Sequence, residues 1–291
     1  MDLHQLLNAV TVIFIAGTMF GAGLGATVPA LRATFSDVPL LLLVLLANLI
    51  VVPLLGWGMA ALFSLAAAPF VALLLTASSP GGPFAAKLGE IQGGDVTAAA
   101  AMQVLLAAVG SITFGFTANA LLRFAGVGSG AALDVGALVR SVALLQLVPF
   151  LIGLLLRRYA TPTALAWHPV TVKVSNVTFL MVLAGMLLGN WTDVVALLGT
   201  RTLLAGFLFS AVSFALGTLL STGLPRRRTT MGGVAAVRNI GPALAAVSLA
   251  FDNAPTVLGA LAAVLLSGTA AALPIAAFLA RHRTAAPSDT T

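Results

Sequence analysis

Apolar stretches long enough to cross a bilayer, about 20 residues each, follow one another along almost the whole chain with only short polar or basic clusters between them. They predict nine membrane-crossing helices, at approximately 5–26, 38–64, 69–90, 95–122, 136–157, 171–189, 201–221, 229–252 and 255–280. The connections are too short to hold a soluble domain. Residues 1–291 therefore read as one all-α polytopic membrane domain, with a polar tail over 284–291 expected to be disordered.

Two of these helices are interrupted. The third contains Ser78-Ser79-Pro80-Gly81-Gly82-Pro83-Phe84-Ala85-Ala86-Lys87, and the eighth contains Arg238-Asn239-Ile240-Gly241-Pro242-Ala243-Leu244-Ala245-Ala246. Proline removes a backbone donor and clashes with the preceding turn, and lipid cannot satisfy the groups this frees. A broken helix persists only where it lines a cavity or is buried in protein. Matching breaks in the two halves of a chain point to the midplane site of a secondary carrier. The half-helix after each break turns unpaired N–H groups and a positive dipole end towards the crossing, which favours an anion.

The flanks of the breaks also match, Gly82-Pro83-Phe84-Ala85-Ala86 against Gly241-Pro242-Ala243-Leu244-Ala245-Ala246. Residues 1–122 and 171–280 then read as two repeat units of four helices, with the fifth helix alone between them. An odd number of crossings separates equivalent helices, so the second unit is inverted relative to the first. The two broken helices enter from opposite sides and cross.

Composition supports the membrane reading: 60% of the 291 residues are hydrophobic and 8% charged, against about 25% charged in soluble domains. The net charge of +6 resides in clusters between apolar spans, which reads as topology signal and not as a nucleic-acid surface. With the N-terminus outside, Arg32, Arg157, Arg158, Lys173, Arg226, Arg227, Arg228, Arg281 and Arg283 lie on the cytoplasmic side, and Arg123 and Arg201 outside. The expectation is a multi-pass cell-membrane protein, N-terminus out and C-terminus in. The chain has no cysteine, and His4, His168 and His282 fall at ends or in loops, so no metal or cofactor is expected. The eight acids lie near span ends or in loops. Paired acids or a Ser-His pair within the bilayer are lacking, and no enzymatic activity is expected.

Three basic residues fall within spans: Lys87, Arg140 and Arg238. Arg140 is near an outer end, where it can snorkel. A charge at the bilayer centre costs about 2.5–3.5 kcal/mol and by default faces a cavity. Glu90 stands one turn beyond Lys87 and offers it an ion pair. Arg238 has no acid within four residues and can donate to carbonyls freed by the break while still facing the cavity. The candidate substrate contacts are Lys87, Arg238, Asn239, Ser78, Ser79, Pro83, Gln103 and Gly241, with Ser267 and Thr269 further along the chain. The partners implied are an organic anion and the lipid bilayer; the number of copies in the assembly stays open.

Ser79-Pro80-Gly81-Gly82, with Gly94-Asp95-Val96 fourteen residues on, resembles the bile acid:sodium symporter family, as does Asn239-Ile240-Gly241 before an Ala-rich stretch. The similarity extends over nearly the whole chain, in the nine-span form. It implies a core of spans 2, 3, 4, 7, 8 and 9 and a panel of spans 1, 5 and 6, with substrate carried as one rocks against the other. The chain departs from the resemblance at the sodium sites. Ala85 and Ala86 stand where sodium-coupled members carry Ser-Asn, Ala99 and Gln103 where they carry hydroxyl ligands, Val234 in place of a Glu and Arg238 in place of a Gln. Sodium wants several oxygen ligands, and neither inherited set is retained. Lys87 adjoins the first emptied position and Arg238 occupies part of the second. Both are expected to replace bound cations, giving sodium-independent transport that loss of either residue abolishes. A proton-coupled carrier using Glu90 or Asp95, a sodium-coupled symporter and a non-transporting receptor are the alternatives.

Overall fold

A computed structural model describes residues 3–82, 84–127, 134–189 and 191–284. Pro83 and the tail beyond residue 284 lie outside the described residues. Among those described, the regular structure is helical throughout: α1 (Leu3–Gly25), α2 (Val28–Phe35), α3 (Val38–Leu46), a π turn (Ala47–Val51), α4 (Val52–Leu62), α5 (Ala67–Ala77), α6 (Ala85–Ile91), α7 (Val96–Ala125), α8 (Val135–Tyr159), α9 (Thr161–Gly189), α10 (Trp191–Ala196), α11 (Arg201–Leu219), α12 (Pro225–Ala236), α13 (Ile240–Ala250) and α14 (Pro255–Thr284).

Three of the acids act at helix starts. The Oδ1 atoms of Asp37, Asp95 and Asp134 accept from Leu40 N (3.2 Å), Ala98 N (3.0 Å) and Ala137 N (2.9 Å), capping α3, α7 and α8. Each satisfies one of the donors that a helix leaves open, and each places a negative charge at the positive end of the dipole. This use accounts for the placement of these three carboxylates at span ends.

Five stretches are long and apolar enough to cross a membrane: Val38–Leu62, Val96–Ala125, Arg201–Leu219, Pro225–Ala250 and Pro255–His282. A sixth is obtained if Ala9–Gly25 and Val28–Phe35, bent by 89°, count as one. The expected nine are reduced by interruption at the third span, while the fifth and sixth fall on continuous helices that are not among these stretches. The third predicted span is divided into α5, of 11 residues, and α6, of 7, each shorter than a crossing. The expected crossings at 136–157 and 171–189 fall on α8 and α9.

The helices sort into two groups. In one, α1 lies against α8 and α9. Gly23 and Gly153 allow the main chains of α1 and α8 to touch, because a Cβ at Gly23 would collide with Phe150 O and one at Gly153 with Phe20 O. Phe14 meets Phe179 of α9 at 5.3 Å between ring centroids, and the hydroxyls of Thr18 and Ser175 are in contact. In the other group α11 lies against α12 and α14, and α14 against α5. Leu73, Leu74 and Leu75 of α5 and Ala260, Leu261 and Ala262 of α14 are completely buried there. The groups meet where α9 touches α14 and where α8 touches α7 and α13.

Candidate functional site

Helix α5 stops because its last turn leads into Ser79-Pro80-Gly81-Gly82. Gly81 has φ +77°, a conformation that costs only glycine little. A Cβ at Gly82 would come within 2.6 Å of Arg238 O. The two interruptions thus touch main chain to main chain, and Asn239 N donates to Ser79 O at 2.9 Å.

The second interruption is not at its Gly-Pro, where the sequence places it. It occupies Val237–Asn239, between α12 and α13. Gly241 and Pro242 are the second and third residues of α13, among the first four whose N–H groups have no helical partner, so Pro242 forfeits nothing there. Asn239 caps α13, with Oδ1 accepting from Gly241 N at 3.2 Å.

Arg238 is 6% exposed, and its guanidinium is enclosed by uncharged oxygens. Nη2 donates to Ala77 O at 2.6 Å and to Asn48 O at 3.2 Å; Nη1 donates to Asn48 Oδ1 at 2.9 Å; Nε is 3.5 Å from Thr76 O and Nη1 3.5 Å from Ala235 O. Thr76 and Ala77 supply carbonyls at the negative end of α5, where a cation is favoured. With hydrogen bonds but no carboxylate among these partners, the positive charge is held yet not neutralised.

The main-chain oxygen of Asn48 is freed by a local departure in helix geometry. In the π turn, Val52 N–H reaches back five residues to Ala47 O. The next donor in that register would belong to Pro53, which has none. Asn48 O is therefore free of the helix and accepts from Arg238, while Asn48 Nδ2 donates to Val44 O at 3.0 Å.

At the boundary between the helix groups, Asn239 Nδ2 donates to Gln146 Oε1 of α8 at 2.8 Å; both residues are buried. Two narrow crevices flank this bond. One, of about 10 Å³, is lined by Phe14, Ile15, Thr18, Met19 and Asn239; the other, with about 0 Å³ of free space, is lined by Met19, Val104, Ala107, Ala108, Gln146 and Phe150, among others.

The other candidates scatter. Gln103 Oε1 accepts from Ala86 N at 3.1 Å, in the first turn of α6. Ser79 Oγ donates to Leu75 O at 3.0 Å, whereas the buried Ser78 Oγ has no hydrogen-bond partner among the described residues. Lys87 Nζ meets Glu90 Oε2 at 2.7 Å, with both side chains more than half exposed, and is not among the groups around Arg238. Ser267 and Thr269 donate to Val264 O and Leu265 O of their own helix. The sequence reading missed Asn48 and Gln146. The available signal was a solitary amide in an apolar run, followed by Pro53 in one case and Pro149 in the other.

The family model for the sodium bile acid symporter family matches residues 12–206, about two thirds of the chain. A probable sodium/metabolite cotransporter of chloroplasts, BASS3 from Arabidopsis thaliana, is 26% identical over 206 residues, covering 70% of this chain and 46% of that protein. The chain spans about half the length of this curated relative. A multi-pass helical protein with two interrupted helices in contact, matched by that model over most of its length, belongs to the sodium bile acid symporter family.

Proposed function

We propose that the chain is a secondary transporter of an organic anion that works by alternating access without sodium, Arg238 serving as a built-in cation. The observation that carries this reading is the set of oxygens around its guanidinium: two from Asn48 and one each from Thr76, Ala77 and Ala235. Backbone and amide oxygens of this kind are what a hard cation takes, and here a covalently attached charge takes them. Support for an anion comes from the uncompensated charge and from the amide donors at the crossing.

In this reading the chain crosses the membrane nine times, N-terminus outside the cell membrane and C-terminus in the cytoplasm, with 1–122 and 171–280 as inverted repeat units. The group of α1, α8 and α9 moves as a panel against the remainder. Small-molecule sites usually hold about 300–1,000 Å³. The crevices beside Asn239 hold only about 10 and 0 Å³, so panel and core must part to admit an organic anion. Asn239, Gly241, Ser78, Ser79 and Gln103 contribute polar groups at or beside the crossing. Lys87, exposed and paired with Glu90, has the lesser role of a charge at the approach.

The test is counterflow of organic anions in proteoliposomes with sodium replaced by choline. Exchange should persist in choline and vanish in correctly inserted Arg238→Ala. A strict sodium requirement of the unaltered protein would overturn the reading.

A further inference from the structure

Asn239 and Gln146 are the polar pair that joins the two helix groups beside the crossing, and the orientation of both amides follows from one backbone group. Gly241 N–H needs an acceptor, so Asn239 must present Oδ1 to it, at 3.2 Å. That turns Nδ2 towards α8, where Gln146 has to answer with its oxygen, at 2.8 Å. Met19 borders the crevices on both sides of the bond, so the amide pair divides one slot into two. Phe14, Ile15, Val104 and Phe150 make the walls largely apolar, and the one hydroxyl among them, that of Thr18, is engaged with Phe14 O and the Ser175 hydroxyl.

We propose that Gln146 is a positioning residue that latches the panel to the core. Resting on the carrier reading above, the latch keeps the slot shut by holding the Asn239 donor, and a substrate oxygen takes the place of Gln146 Oε1 when the slot fills. A buried donor that loses its acceptor is costly, so the slot opens readily only when another oxygen replaces the one withdrawn. An acceptor-bearing ligand is thereby selected over a purely apolar one of the same shape.

The chain contains no cysteine, which makes a single introduced thiol a clean reporter. Ala108 borders the slot and is partly buried. In the purified, ligand-free full chain, maleimide labelling of Ala108→Cys should accelerate by about fivefold or more when Gln146→Leu is added, the effect of one lost buried hydrogen bond. Gln146→Glu should restore slow labelling, because a carboxyl oxygen at the same reach still accepts from Asn239 Nδ2. A control thiol at Ala263→Cys, 1% exposed in α14, should stay unreactive in every background. Equal rates in Gln146→Leu and the parent, no rescue by Gln146→Glu, or acceleration at both thiols would overturn the latch. No substrate enters this measurement, so its outcome is separate from the presence or sodium independence of anion exchange.

Discussion

Arg238 is bound through its side chain to Asn48, 190 positions earlier, by both the amide oxygen and the main-chain carbonyl of that residue. The break in the eighth predicted span is thereby fastened to the second span as well as to the third. Asn48 thus has two separable effects: it supplies geometry to the guanidinium and leaves its charge intact.

Asn48→Asp should separate these effects. The carboxylate keeps an acceptor near Nη1 and neutralises the guanidinium but gives up the donor to Val44 O, so anion exchange should fall while the melting temperature drops less than in Asn48→Ala. Asn48→Ala removes a hydrogen bond to a charged group and should destabilise by about 1.5–3 kcal/mol. Melting and exchange measured together on both variants check this; full exchange in Asn48→Asp would count against an attractive charge at the crossing.

Arg238→Gln should convert the sodium response. With the guanidinium gone, the oxygens of Thr76, Ala77 and Asn48 are available to an external cation. The expected outcome is a protein inactive in choline whose melting temperature and exchange are both raised by sodium. Identical melting curves in sodium and choline would show that the oxygens do not form a cation site without Arg238.

Lys87→Ala should leave exchange within about twofold of the unaltered protein, as expected for an exposed ion pair. This departs from the sequence reading, which gives Lys87 the same weight as Arg238. Exchange rates at low ionic strength, where a surface charge has its greatest reach, provide the sharpest comparison.

Gly82→Ala and Pro242→Ala should behave oppositely although each alters one of the matched Gly-Pro pairs. The added methyl at 82 meets Arg238 O and forces the breaks apart, an overpacking cost of about 1–3 kcal/mol. Position 242 lies in the first turn of α13, where alanine is accommodated at less than about 1 kcal/mol. Detergent melting and exchange of the two variants measure the contrast.

A disulfide between Ile15→Cys and Gly241→Cys should arrest exchange reversibly. A Cβ at Gly241 lies 3.1 Å from Ile15 Cγ1, close enough for the two Cβ atoms to approach disulfide spacing. Oxidant should stop transport and reductant restore it. Undiminished exchange in the cross-linked protein would mean that α1 and α13 do not separate during the cycle.

Helical character and the existence of two breaks were legible because apolar length and Gly-Pro composition are local properties. The position of the second break was not, since proline disrupts a helix interior but suits its first turn, and only the register of α13 distinguishes these cases. Arg238 stood out as a charge in an apolar span. Its oxygens did not, because most are main-chain carbonyls, which every sequence possesses and only a fold exposes. Gln146 was equally hard to read, since its meaning depends on Asn239, 93 positions away.

The π turn at Ala47–Val51 gives a missing hydrogen atom an electrostatic consequence. Because Pro53 cannot answer Asn48 O, the main chain of one span becomes a fixed dipole directed at a cation on another. Any change that re-knits the span, such as a donor at residue 53, would withdraw that dipole without altering a single formal charge. The field at the crossing is therefore set partly by helix register, a quantity that counting basic and acidic residues does not reveal.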